Sequence, residues 1–142
     1  MTAYFDSSAF VALLLDEPGS AAARDVWRGA EQVASSGITY VEVAAALAHA
    51  ERLGRCASAE VEALWSEFEY YWDSVNAVGV GPYLLESAAG LTRPHALRGY
   101  DAVQCASALA IDGGELVAVT GDRQLLAAWR ERGLATVDTS AT

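Results

Sequence analysis

Four acidic residues, Asp6, Glu42, Asp101 and Asp122, stand where a carboxylate needs a reason. Asp6 closes the apolar run Ala3-Tyr4-Phe5, and Asp122 follows Leu116 to Val119 through Thr120-Gly121. Glu42 and Asp101 interrupt the early turns of stretches that are otherwise largely alanine and aliphatic. Carboxylates rarely keep such company unless paired, protonated or bound to a metal. Four of them in one place repel one another, and an oxygen-seeking divalent cation removes that repulsion. Their type and number point to a hard-cation site and to phosphate chemistry.

Each acid also has a simpler reading. Asp6-Ser7-Ser8 is good capping chemistry for the run beginning at Ala9, and Asp122 has the same option for the last long helix. Glu42 and Asp101 fall in first helical turns, where the helix dipole favours negative charge. Arg98, three residues before Asp101, offers it a surface ion pair. Taken together, four strand-end or helix-start carboxylates are much harder to explain as caps. Glu60, Glu62, Glu67 and Glu69 read as a helix surface, and Asp138, just past the last candidate strand, is left outside the site.

The elements that position these residues alternate. Short apolar runs at Thr2–Phe5, Gln32–Ser35, Val75–Val78, Glu115–Val119 and Ala135–Val137 read as buried parallel strands. Helical patterns fall at Ser8–Leu15, Ser20–Gly29, Thr39–Leu53, Ala57–Asp73, Pro82–Leu91, Tyr100–Ile111 and Arg123–Arg132. Ser20 is the expected N-cap after the break Asp16-Glu17-Pro18-Gly19. The alternation predicts an α/β three-layer sandwich with a parallel sheet. In such sheets the reactive crevice lies beyond the carboxyl ends of the strands, where Asp6 and Asp122 stand. The aromatic stripe Trp65, Phe68 and Trp72 reads first as core, with an interface as the other option.

Composition narrows the classes. At 142 residues, 53% hydrophobic and 20% charged, the chain suits one globular domain that buries roughly 70% of its unfolded surface. The net charge of −10 argues against a broad basic face for long nucleic acid, though a bound cation would bring its own positive charge. All nine basic residues are arginines. The lack of lysine removes P-loop nucleotide hydrolysis, Schiff-base catalysis and the receiver-type magnesium site. A haloacid-dehalogenase-like phosphatase needs an aspartate where Ser8 stands. Two cysteines and two histidines are too few for a disulfide framework or a zinc site to organise the chain. No stretch suits a membrane span or signal peptide, so the cytoplasm is the expected compartment.

With these positions in view, the chain resembles the PIN-domain nucleases, specifically the VapC-type toxins of bacterial toxin–antitoxin pairs. The resemblance rests on Tyr4-Phe5-Asp6-Ser7-Ser8-Ala9, Thr39-Tyr40-Val41-Glu42-Val43, Gly99-Tyr100-Asp101-Ala102-Val103-Gln104-Cys105-Ala106 and Val119-Thr120-Gly121-Asp122-Arg123-Gln124-Leu125-Leu126. It extends from residue 2 to about 137, so residues 1–142 are expected to form a single PIN-like domain. It implies a five-stranded parallel sheet flanked by helices. It also implies that Asp6, Glu42, Asp101 and Asp122 bind Mg²⁺ or Mn²⁺, with Ser8 and Thr120 as supporting hydroxyls. The implied activity is metal-dependent endoribonuclease cleavage of RNA, by a homodimer silenced by a cognate VapB-type antitoxin. In this reading Asp6 and Asp122 are direct ligands, Asp101 completes the site, and Glu42 holds a second metal or the water. Arg98, Arg93 and Arg123 are candidates to steady substrate phosphate, with ordinary surface pairing as the alternative. Trp65 and Trp72 are candidates for a partner surface. The competing readings are a PIN-type nuclease of RNA maturation or structured DNA, and a catalytically idle binding module.

Overall fold

The computed structural model describes residues 1–140, and its element boundaries follow from the patterning above. In chain order they are β1 (Thr2–Phe5), α1 (Ser7–Leu14), α2 (Ser20–Gly29), β2 (Gln32–Ser36), α3 (Thr39–Arg52) and α4 (Ser58–Trp72). There follow β3 (Val75–Val78), α5 (Pro82–His95), α6 (Gly99–Ile111), β4 (Leu116–Thr120), α7 (Arg123–Glu131) and β5 (Ala135–Asp138). The five strands form one sheet in the order β3-β2-β1-β4-β5, every pair parallel. The chain builds outward from β1 through β2 to β3, then crosses back and builds outward the other way. The reversal lies between β1 and β4, where the register pairs Phe5 with Val119.

Side chains along a strand point alternately to opposite faces, and the two cores follow that period. Ala3, Phe5, Val33 and Val119 face α1–α4, while Tyr4, Ala34, Leu116 and Ala118 face α5–α7. On the second face Trp129 of α7 meets Tyr4 edge-on, with ring centroids 5.6 Å apart. On the first, the α4 stripe is mainly core. Phe68 is fully buried against Phe10, with centroids 5.3 Å apart. Trp65 and Trp72 are half-buried and pack on Tyr40. Among the described residues no helix is long and apolar enough to cross a membrane.

Two local expectations are corrected. Ser20 is not an N-cap: it is the first residue of α2, and Gly19 occupies the cap position without a side-chain bond. The Ser20 hydroxyl instead donates to Leu15 O at 2.7 Å and accepts from Glu17 N at 2.8 Å, closing the turn behind it. Helix α5 also runs past Leu91 to His95, through Pro94. A proline costs a helix its N–H bond and crowds the preceding turn. Here that cost falls in the last turn, and the helix stops two residues later at Ala96, whose φ of 52° is left-handed.

Gly19 shows how tightly the α1–α2 turn meets the end of the sheet. A Cβ there would lie 1.8 Å from the Thr139 carbonyl oxygen, a backbone atom with no rotamer to yield. Gly19→Ala is therefore expected to destabilise the protein by about 1–3 kcal/mol, as overpacking does. Chemical denaturation checks this as a lower midpoint at unchanged slope.

Candidate metal-binding active site

The site begins where β1 stops. Asp6 is the N-cap of α1, its Oδ1 accepting from Ala9 N at 2.9 Å. It is also 3% exposed, which capping does not require. Two hydroxyls complete its surroundings: Ser8 Oγ donates to Oδ1 at 2.7 Å, and Thr120 Oγ1 donates to Oδ2. Each hydroxyl is itself oriented by a backbone donor after β4. Gly121 N donates to Ser8 Oγ at 2.8 Å, and Asp122 N donates to Thr120 Oγ1 at 2.9 Å. A Cβ at Gly121 would sit 3.5 Å from Ser8 Oγ and 3.1 Å from Thr139 Oγ1, so the close approach of these segments suits glycine.

The other three acids come from separate elements. Asp122 is the N-cap of α7 and accepts from Leu125 N at 2.9 Å. Asp101 lies in the first turn of α6, buried, with Oδ2 3.2 Å from Arg98 Nε. Glu42 lies in the first turn of α3, half-buried, and Gln104 Nε2 donates to its Oε1 at 2.6 Å. The capping and ion-pair readings of Asp6, Asp122 and Asp101 are thus correct as local descriptions. They leave open why the four share one edge.

Electrostatics link the four in a row. Burial pushes the Asp6 carboxyl from 3.8 up to about 6, against the pull of Thr120, Ser8 and Ala9 N, with the Asp122 charge adding to the rise. Burial also raises Asp101; the Asp122 charge adds to the rise, and Arg98 offsets part of it. Glu42 is raised by burial and by Asp101, and is eased by Gln104 and Ser7. Three carboxyls are therefore held against their own charge.

Among the described residues, no three His, Cys, Asp or Glu side chains already stand together as a ready set of metal ligands. Each acid is instead turned onto a protein donor. The donor set still fits a hard divalent cation, because it offers carboxylate oxygens that repel one another and sit partly desolvated. Magnesium keeps several waters and takes few carboxylates directly, so it does not need three preassembled ligands.

The arginines divide. Arg98 pairs with Asp101 and lies over the Tyr100 ring at 4.9 Å. Arg123 is exposed at the start of α7, close enough for its charge to lower Asp138, and Arg93 is exposed in the last turn of α5. Asp138 stands beside Thr120 in the sheet register, but its carboxylate accepts from Ser140 N and Ser140 Oγ and is lowered, unlike the other three. Sequence reasoning assigned no role to Gln104, Thr39 or Ser35, which form a buried polar chain beneath Glu42. The available signal was a glutamine inside the apolar run Ala102-Val103-Gln104-Cys105-Ala106.

A PIN domain profile matches residues 3–130. The chain is 42% identical over 122 residues to Ribonuclease VapC45 of Mycobacterium tuberculosis, covering 86% of this chain and 85% of that protein. It is similar in structure to Mycobacterium tuberculosis VapC20, a sarcin–ricin-loop-cleaving toxin, with a TM-score of 0.69 at 20% identity, covering 96% and 98% of the two chains. A toxin–antitoxin complex from Klebsiella pneumoniae contains a chain similar at a TM-score of 0.65 and 20% identity, covering 96% and 97%.

The raised Asp6 carboxyl sets a pH dependence. Its folded state holds the proton more tightly than the unfolded chain, so the stability gained on protonation is complete below about pH 4 and lost as pH rises through about 6. In EDTA, Asp6→Asn is expected to remove this dependence, a difference from wild type of up to about 3 kcal/mol by pH 7. Thermal denaturation of both proteins from pH 4.5 to 7.5 measures it. Parallel curves would contradict the assignment.

Proposed function

This chain belongs to the PIN-domain family, among its VapC-type ribonucleases, and on that premise we propose that it is a metal-dependent endoribonuclease acting as the toxin of a toxin–antitoxin pair. The observation that carries the reading is the coupled row Asp6, Asp122, Asp101 and Glu42 at the carboxyl edge of β1 and β4. A partly buried acidic row of this kind is costly without a cation and useful with one.

Asp6, Asp122 and Asp101 would hold Mg²⁺ or Mn²⁺ through carboxylate oxygens. When bound, the cation supplies Lewis acidity toward water and charge neutralisation toward a phosphate ester. Thr120 and Ser8 keep Asp6 in place by donating to both of its oxygens. Glu42 would complete the cation site and help position the attacking water there. Arg98 and Arg123 would steady the substrate phosphate, Arg98 by exchanging part of its bond to Asp101. Attack by water leaves a 5′-phosphate and a 3′-hydroxyl.

The chain's own acidity bears on its partners. With a net charge of −10, RNA approach depends on the cation and on the local arginines rather than on a basic face. The same potential suits an antitoxin whose basic segment carries an arginine or lysine to the carboxylates. A homodimer is the expected assembly, and the half-buried Trp65 and Trp72 remain candidates for a partner surface.

Asp6→Asn and Asp122→Asn are each expected to lower RNA cleavage by at least about 100-fold in Mn²⁺, with EDTA abolishing the wild-type activity. Cleavage of a radiolabelled RNA, followed by mapping of the ends, checks both rate and polarity. Activity that survives Asp6→Asn and EDTA alike would end this reading.

A further inference from the structure

Glu42 is the one acid of the row that neither caps a helix nor pairs with an arginine. Ser7 eases its charge, but its close hydrogen bond comes from Gln104, a side chain 2% exposed on α6. The amide makes three contacts: Tyr4 Oη donates to Oε1 at 2.5 Å, while Nε2 donates to Thr39 Oγ1 at 2.9 Å and to Glu42 Oε1 at 2.6 Å. These use both N–H bonds and one lone pair of the oxygen.

The orientation of that amide is decided by proton accounting. Ser35 Oγ lies 2.6 Å from Phe5 O and 2.8 Å from Thr39 Oγ1. A carbonyl only accepts, so the single Ser35 proton goes to Phe5 O. Thr39 then gives its own proton to Ser35 Oγ and must accept from Gln104, which forces nitrogen toward Thr39 and Glu42. Tyr4, with no shorter acceptor than the amide oxygen, locks the other end. The chain of donors is anchored on the carbonyl of Phe5, one residue before Asp6. It therefore ties Glu42 to the strand end that carries Asp6.

We propose that Gln104 is the positioning residue for Glu42, a buried neutral amide that occupies Oε1 and leaves Oε2 for the cation site. The proposal rests on reading these carboxylates as a cation site. Neutrality is the useful property. Arg98 restrains Asp101 by cancelling its charge, whereas an amide restrains Glu42 and leaves that charge available. Gln104 touches neither substrate nor cation and acts only through Glu42.

The test is a double-mutant cycle on Mn²⁺ binding. Calorimetric titration of wild type, Gln104→Met, Glu42→Gln and the double variant is expected to show Gln104→Met weakening Mn²⁺ about 10–100-fold, as loss of a ligand's supporting partner does. The double variant should bind no more weakly than Glu42→Gln alone. In RNA cleavage Gln104→Met should lower kcat with KM unchanged. Gln104→Met that binds Mn²⁺ like wild type, or that weakens Glu42→Gln as much as it weakens wild type, overturns the proposal. A second measurement needs no change at Gln104: in metal-free protein its side-chain NH₂ resonances should move on Glu42→Gln and stay put on Asp122→Asn. Resonances indifferent to Glu42→Gln overturn the proposal even if Gln104→Met does not fold. Wild type that takes up no Mn²⁺ ends the cation reading instead, and the NH₂ shifts then decide the Glu42 contact alone.

Discussion

A carboxylate buried at the carboxyl end of the sheet's central strand is the constraint around which this fold is arranged. Asp6 keeps 3% of its surface and still receives three hydrogen bonds. Two of the donors, Ser8 and Thr120, are hydroxyls that in turn accept from the backbone after β4. This arrangement welds the ends of the two central strands together through side chains where the ladder runs out. Burying a charge without such donors costs several kcal/mol. Even with them Asp6 rises to about 6, so the fold carries a standing electrostatic cost at its centre.

That cost is tolerable because the rest of the molecule is a conventional two-faced sheet. Alternate residues of β1, β2 and β4 feed two separate cores, one aromatic around Phe10 and Phe68, the other built on Tyr4 and Trp129. The hydrophobic effect acts on both faces at once and fixes the register. With the register fixed, the strand ends have no freedom to move apart, and the acids that follow them are held within reach of one another's charge. Repulsion is then stored at the edge.

The protein restrains its four acids by different means, and the differences separate their roles. Asp6 and Asp122 are held by backbone N–H groups at helix starts, Asp101 by a guanidinium, and Glu42 by an amide. Helix caps and amides bring no formal charge of their own, whereas the Arg98 guanidinium offsets that of Asp101. Arg98, paired with Asp101 and lying over Tyr100, is the cation the described residues place beside the row.

Much of this was legible in the chain. Strand and helix positions follow from apolar periodicity and matched within a residue or two, apart from the tail of α5, where Pro94 sits in the last turn rather than ending the helix before it. The four acids were visible because each breaks an apolar pattern at an element boundary. The chain did not disclose what the Ser20 hydroxyl bonds or that Gln104 supports Glu42. The second is a pairing between residues 62 apart in sequence; the first is local, but a serine at that point serves a helix cap and a turn closure equally well. Local residue types determined the elements, their inward faces and the acids at their ends. Tertiary structure alone decided the order β3-β2-β1-β4-β5, which brings Thr120 to Asp6 across 114 residues and Tyr4 to Gln104 across 100. The physical reason is that strand order and hydrogen-bond partners are chosen by packing the whole sheet, and no local stretch of sequence contains both partners.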